Sequence, residues 1–204
     1  MTTGRTGSDF LHACLDDVKG VMTFCGKFQY HKFFNGPNEK KDKEGLIDQF
    51  LKEYKELFSY NIIEDIDTNI NTEKFKENFL NITSVAKINR TNFLFNLYEA
   101  YYLTLNRDIN DVKVLVHHTH DIDETKKFLE DFPDSWMMIT IRDPRANLKS
   151  GLVNWFDYDL ERKHMHHIFI YLKRIREDLR FAIKRNNKKL FIKLEEANKL
   201  KTKE

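Results

Sequence analysis

The stretch Trp136-Met137-Met138-Ile139-Thr140-Ile141-Arg142-Asp143-Pro144-Arg145-Ala146-Asn147-Leu148-Lys149-Ser150 (WMMITIRDPRANLKS) decides the fold class. Its first six residues form a continuous apolar run, the pattern of a strand covered on both faces. Pro144 suits the first turn of a helix, where its missing N–H costs nothing. Arg142 therefore closes a buried strand, and Ser150 lies about one and a half turns inside the next helix. Side chains at that strand end project into the crevice where open α/β sheets hold ligands. A guanidinium from the strand and a hydroxyl from the helix can grip one phosphate from two sides. A helix-capping ion pair of Arg142 with Asp143 or Asp131 is the competing reading.

Outward from this stretch the chain alternates. Val112 to Val116 reads as a strand and Asp123 to Glu130 as a short helix. A long helix lies within Leu160 to Arg185, with Ile168, Leu172, Ile175, Leu179 and Ala182 as its apolar stripe, and Leu190 to Leu194 reads as a strand. Upstream, the first four residues end a strand, Asp9 to Leu15 is helical, and Val21 to Phe24 is a further strand. The polar segment from Asn35 to Lys43 is a loop. Ile47, Phe50, Leu51, Tyr54, Leu57 and Phe58 sit at the spacing of one amphipathic helix. Thr91 to Leu105 forms another, with Leu94, Leu97, Tyr98, Tyr101 and Leu105 on one side; its tyrosines read as core in preference to an aromatic substrate platform. The expectation is an α/β fold: one domain over residues 1–204, a parallel sheet flanked by helices, and a mostly helical insertion over about 35–110 that faces the substrate.

Composition bounds the function. The chain has 204 residues, 41% hydrophobic and 13% aromatic, which is ample for a packed core. Its 34 basic and 32 acidic side chains nearly cancel, so a net charge of +2 offers no footprint for nucleic acid or an anionic membrane. An anion site has to be local. Cys14 and Cys25 form neither a metal pattern nor a disulfide framework and read as buried thiols. No apolar run approaches the ~20 residues that span a bilayer, and no signal-peptide core is present. A cytoplasmic protein is expected, with the sequons at Asn81 and Asn89 unused.

Two further groups carry chemistry. Gly4-Arg5-Thr6-Gly7-Ser8 stands between a strand and a helix, where glycines let backbone approach an anion and successive N–H groups point at it. Arg5 adds a full charge and Ser8 a hydroxyl. The GxxxxGK[ST] spacing of nucleotide triphosphatases is absent. His117-His118-Thr119-His120 follows the strand at Val112 to Val116. Neighbouring strand residues point to opposite faces, and no cysteine or third ligand keeps zinc spacing with them, so a single histidine acting as a base is favoured over a metal.

Together these elements resemble the sulfotransferases that use 3′-phosphoadenosine 5′-phosphosulfate (PAPS). The resemblance rests on Thr3 to Leu11 (TGRTGSDFL), on Ile139 to Ser150 (ITIRDPRANLKS), and on Leu190 to Glu196 (LFIKLEE). It implies a P-loop-like fold. It implies that Gly4, Arg5, Thr6, Gly7, Ser8, Asp9 and Phe10 surround the 5′-phosphosulfate, and that Arg142 and Ser150 hold the 3′-phosphate. His120 falls where cytosolic members carry the catalytic histidine, and His118 where lysine is common. Asp9 replaces a frequent threonine, Leu194 replaces the tyrosine of a late triplet, and both ends are shorter than in most members.

The implied reaction is in-line sulfuryl transfer to a hydroxyl or amine of a small-molecule or glycan acceptor, releasing adenosine 3′,5′-bisphosphate (PAP). His120 acts as base, Arg5 and His118 stabilise charge, and no metal is needed. A P-loop-type nucleotide kinase would need a Lys-Ser/Thr loop closure and a magnesium carboxylate, neither of which is found. A nucleotide-binding protein of the same fold without catalysis is the alternative from another class.

Overall fold

The computed structural model describes residues 7–16, 18–59, 70–84, 88–120, 122–155, 165–184 and 188–193. They group into two compact units. One consists of Asp9–His118; the other joins Gly7 and Ser8 to the described residues from Thr119 onward.

The Asp9–His118 unit is built around aromatic rings. Its elements are α1 (Ser8–Asp16), which begins one residue earlier, β1 (Val21–Met22), α2 (Tyr30–Phe33), α3 (Lys43–Glu53), α4 (Glu56–Ser59), α5 (Thr72–Ile82), α6 (Arg90–Thr104) and β2 (Val114–Leu115). Polar side chains start the helices where the sequence supplies them. Asp42 accepts from Gly45 N at 2.9 Å, Asn71 from Lys74 N at 2.9 Å and Asn89 from Asn92 N at 2.8 Å, each satisfying an amide left over at the helix start. The sequon residues are thereby given structural work: Asn89 is the α6 cap, and Thr83 is buried with its hydroxyl donating to Phe79 O at 2.7 Å. Asn106, at φ 56°, ends α6 in the left-handed conformation that asparagine tolerates, and its side chain accepts from Lys74 Nζ at 2.7 Å.

Helix α6 is buried around most of its circumference: Phe93, Leu94, Leu97, Tyr98, Ala100, Tyr101 and Tyr102 are all in the core. Its tyrosines are core residues, as the bland reading expected. Phe24 lies at the centre of the unit, with Phe28, Phe50, Phe58, Phe75, Tyr98 and Tyr101 at centroid distances of 4.9–6.4 Å, mostly edge-on or tilted as ring quadrupoles prefer. The amphipathic run from Ile47 to Phe58 is two helices, because Tyr54 and Lys55 form a turn between α3 and α4. Cys14 is exposed, which corrects the expectation of a buried thiol: it lies on the side of α1 opposite buried His12.

The other unit contains α7 (Ile122–Asp131), β3 (Met137–Ile141), α8 (Pro144–Trp155), α9 (Met165–Lys184) and β4 (Lys189–Lys193). Strands β3 and β4 are parallel, in a register that runs from Met137 opposite Lys189 to Ile141 opposite Lys193. Ile139, Met137 and Ala182 form its small core, with Ile141 and Phe181 against it. The long helix buries Tyr171, Ile175, Asp178 and Ala182, whereas Leu172, expected in the stripe, is 43% exposed.

The class is mixed α/β with parallel pairing. The single sheet of the expectation is replaced, among the described residues, by two separate two-stranded parallel sheets, β1–β2 and β3–β4. The strand expected over the first four residues lies outside the described residues. No described helix is long and apolar enough to cross a membrane.

Candidate functional site

The junction of β3 and α8 has the form its sequence implies. Ile141 ends the strand, Arg142 follows it directly, and Pro144 opens the helix. The α8 start is closed by Asp143, whose Oδ1 accepts from Arg145 N at 2.8 Å and from Ala146 N at 3.4 Å. The Arg145 guanidinium also pairs with Asp143, at 2.8 Å to Oδ2 and 3.2 Å to Oδ1. These bonds hold the Asp143 carboxyl below the usual carboxylate range. Arg145 is thus a partner of Asp143 that the sequence reading did not consider. Asp143 thereby serves the amides of Arg145 and Ala146 at the α8 start.

Ser150 lies six residues beyond Pro144, ~9 Å along the helix at 1.5 Å per residue. The helix face beside it is clamped to α9. Tyr171, 1% exposed, donates its hydroxyl to Asn147 Oδ1 at 2.7 Å. Gly151 permits this, since a Cβ there would stand 2.3 Å from Tyr171 Cζ. Sequence reasoning missed this clamp. Its one signal was the i, i+4 pairing of Asn147 with a glycine in mid-helix.

His120 belongs to the same unit and stands between β2 and α7, half-buried. One bond holds its backbone and another holds the residue before it. The Thr119 and Thr125 hydroxyls share a buried hydrogen bond of 2.8 Å, and Arg174 of α9 donates Nη2–H to the His120 carbonyl at 3.2 Å. Nothing in the local sequence announces Arg174.

In the other unit, His117 and His118 lie beyond the end of β2 at Leu115 and go to different surroundings. His117 enters the aromatic core, its Nδ1 3.0 Å from the Tyr98 hydroxyl and its ring edge-on to Tyr30 at 5.2 Å. His118 stacks on His12 of α1, with centroids 5.3 Å apart, and its Nδ1 lies 3.7 Å from Asp9 Oδ1. Asp9 and His118 are therefore neighbours. Gly7, at φ 80°, leads into α1 at Ser8 in a conformation that glycine adopts without strain. Phe10 is half-buried on the same helix. Gly4, Arg5 and Thr6 lie outside the described residues.

Desolvation, reinforced by His31 and His12, lowers the His117 pKa from 6.5 to about 3. Below pH 6.5 the unfolded chain takes up a proton that the folded one refuses, so stability is full above 6.5 and falls as pH drops toward 3. His117→Asn, which keeps a polar atom near Tyr98, should flatten the acid limb by up to about 1.4 kcal/mol per pH unit. Urea unfolding at pH 4 to 7 measures it. An acid limb equally steep in the variant would show that His117 titrates normally.

No known protein family, curated protein or solved structure matches the chain.

Proposed function

We propose that this protein is a sulfotransferase of P-loop-like α/β fold that moves a sulfuryl group from PAPS to a hydroxyl or amine of a small-molecule or glycan acceptor. The observation that carries the reading is the β3–α8 junction. A parallel strand ends at Ile141 with Arg142 directly after it, and the helix that follows carries Ser150. This junction shares its unit with a half-buried, backbone-anchored His120.

The donor chemistry fits the nucleotide. Arg142 is permanently cationic and forked, suited to the dianionic 3′-phosphate, and Ser150 adds a hydroxyl. Asp143 already serves the first α8 amides, so the phosphate depends on these two side chains. Gly7 and Ser8 suit the 5′-phosphosulfate end, with Arg5 proposed beside them to stabilise departing charge. His120 takes the acceptor's proton as the acceptor oxygen or nitrogen bonds to sulfur. The S–O bond to the 5′-phosphate breaks, and its electron pair leaves on PAP. Free Cys14, exposed on α1, accords with a reducing, cytoplasmic setting.

PAP should bind more tightly than AMP, and Arg142→Ala should remove most of that preference, a loss of about 10-fold or more for a charge-assisted pair. Isothermal calorimetry of both nucleotides tests it. Equal affinity of the unaltered protein for PAP and AMP would sink the assignment.

A further inference from the structure

We infer that α9 acts as a brace that sets the position of the His120 loop against the phosphate helix α8, with Arg174 as the positioning residue for the base. The inference rests on the proposed sulfotransferase reading for its catalytic meaning, but its structural content stands alone.

Two anchors leave α9 three residues apart, on adjoining positions of one rigid helix. Tyr171 reaches α8: its ring occupies the space that Gly151 leaves open, and its hydroxyl donates to Asn147 Oδ1 at 2.7 Å. Arg174 reaches the loop and donates to the His120 carbonyl at 3.2 Å. The loop is pinned a second time one residue earlier, through the buried Thr119–Thr125 hydroxyl pair. A carbonyl held by a guanidinium and a neighbour held by α7 restrict how the His120 imidazole swings. The same helix holds Asn147, three residues before Ser150 and hence on the adjoining part of α8. Base loop and phosphate helix are thus referenced to one element instead of to each other. Arg174 touches no reacting atom in this arrangement; it acts through His120.

The test uses the full chain with labelled histidine and follows the His120 ring resonances by NMR, assigned with His120→Asn. Arg174→Met and Tyr171→Phe should each displace the His120 signal while leaving that of His117 in place, and Arg174→Lys should restore most of it. Turnover with PAPS should fall about 10²-fold in Arg174→Met, the scale of an ångström-level misplacement, with PAP affinity unchanged. Recovery by Arg174→Lys supports positioning over simple loss of packing. An unmoved His120 signal in either Arg174→Met or Tyr171→Phe overturns the brace. If the unaltered protein transfers nothing from PAPS, the functional reading fails, and the resonances alone decide the brace.

Discussion

On the proposed reading, His120→Asn should abolish sulfuryl transfer while PAP binds as before. Asparagine keeps a polar side chain in the loop but cannot accept the acceptor's proton, so the variant loses the general-base contribution, about 10²-fold to 10⁴-fold. The groups proposed to hold the nucleotide, Arg142 and Ser150, are separate from the change. His117→Asn serves as the paired control: that ring is enclosed by Tyr98, Tyr30 and Phe28, so its replacement alters stability and leaves chemistry intact. Single-turnover transfer from labelled PAPS to any accepted substrate reads both. Near-normal transfer by the His120 variant beside a dead His117 variant would reverse the assignment of the base.

Gly151→Ala should be among the most destabilising single changes in the Thr119–Lys193 region, though alanine is the better helix former by about 1 kcal/mol. The added Cβ would stand 2.3 Å from Tyr171 Cζ and 2.7 Å from Tyr171 Oη, both parts of a buried ring. Overpacking of this kind costs about 1–3 kcal/mol, and the Asn147 bond is lost if the ring moves. Thermal unfolding of Gly151→Ala, Tyr171→Leu and the double variant forms a cycle. The second substitution should recover part of the loss caused by the first. Strict additivity would mean that ring and glycine do not meet.

The elements with plain periodicity were legible. The run Trp136 to Ile141 became β3 only from Met137 onward, with Trp136 73% exposed, and the Pro144 start became α8, as a proline at a helix start implies. The divergence of His117 from His118 was expected from strand alternation, yet both lie beyond β2, which ends at Leu115. The α9 face was misread, since counting apolar residues picked Leu172, while the buried side includes Tyr171 and Asp178, whose polar tips removed them from the count. The α3–α4 break was invisible because Tyr54-Lys55 contains no glycine or proline. Arg174 was beyond reach for a different reason: its partner is a backbone carbonyl, and every residue has one.

The division of the chain has a consequence for synthesis. Asp9–His118 is continuous, so every ring contact of its aromatic core is available once β2 has left the ribosome. The other unit is interrupted: β3 waits for β4, which ends at Lys193, before its parallel partner exists. Growing from the N-terminus, the nascent chain can complete the aromatic unit first and present it as a finished body while the strand that leads into Arg142 is still unpaired. The exposed edge of β3 is then the interval's hazard, and the length of that interval is set by α8 and α9, which must be made in between.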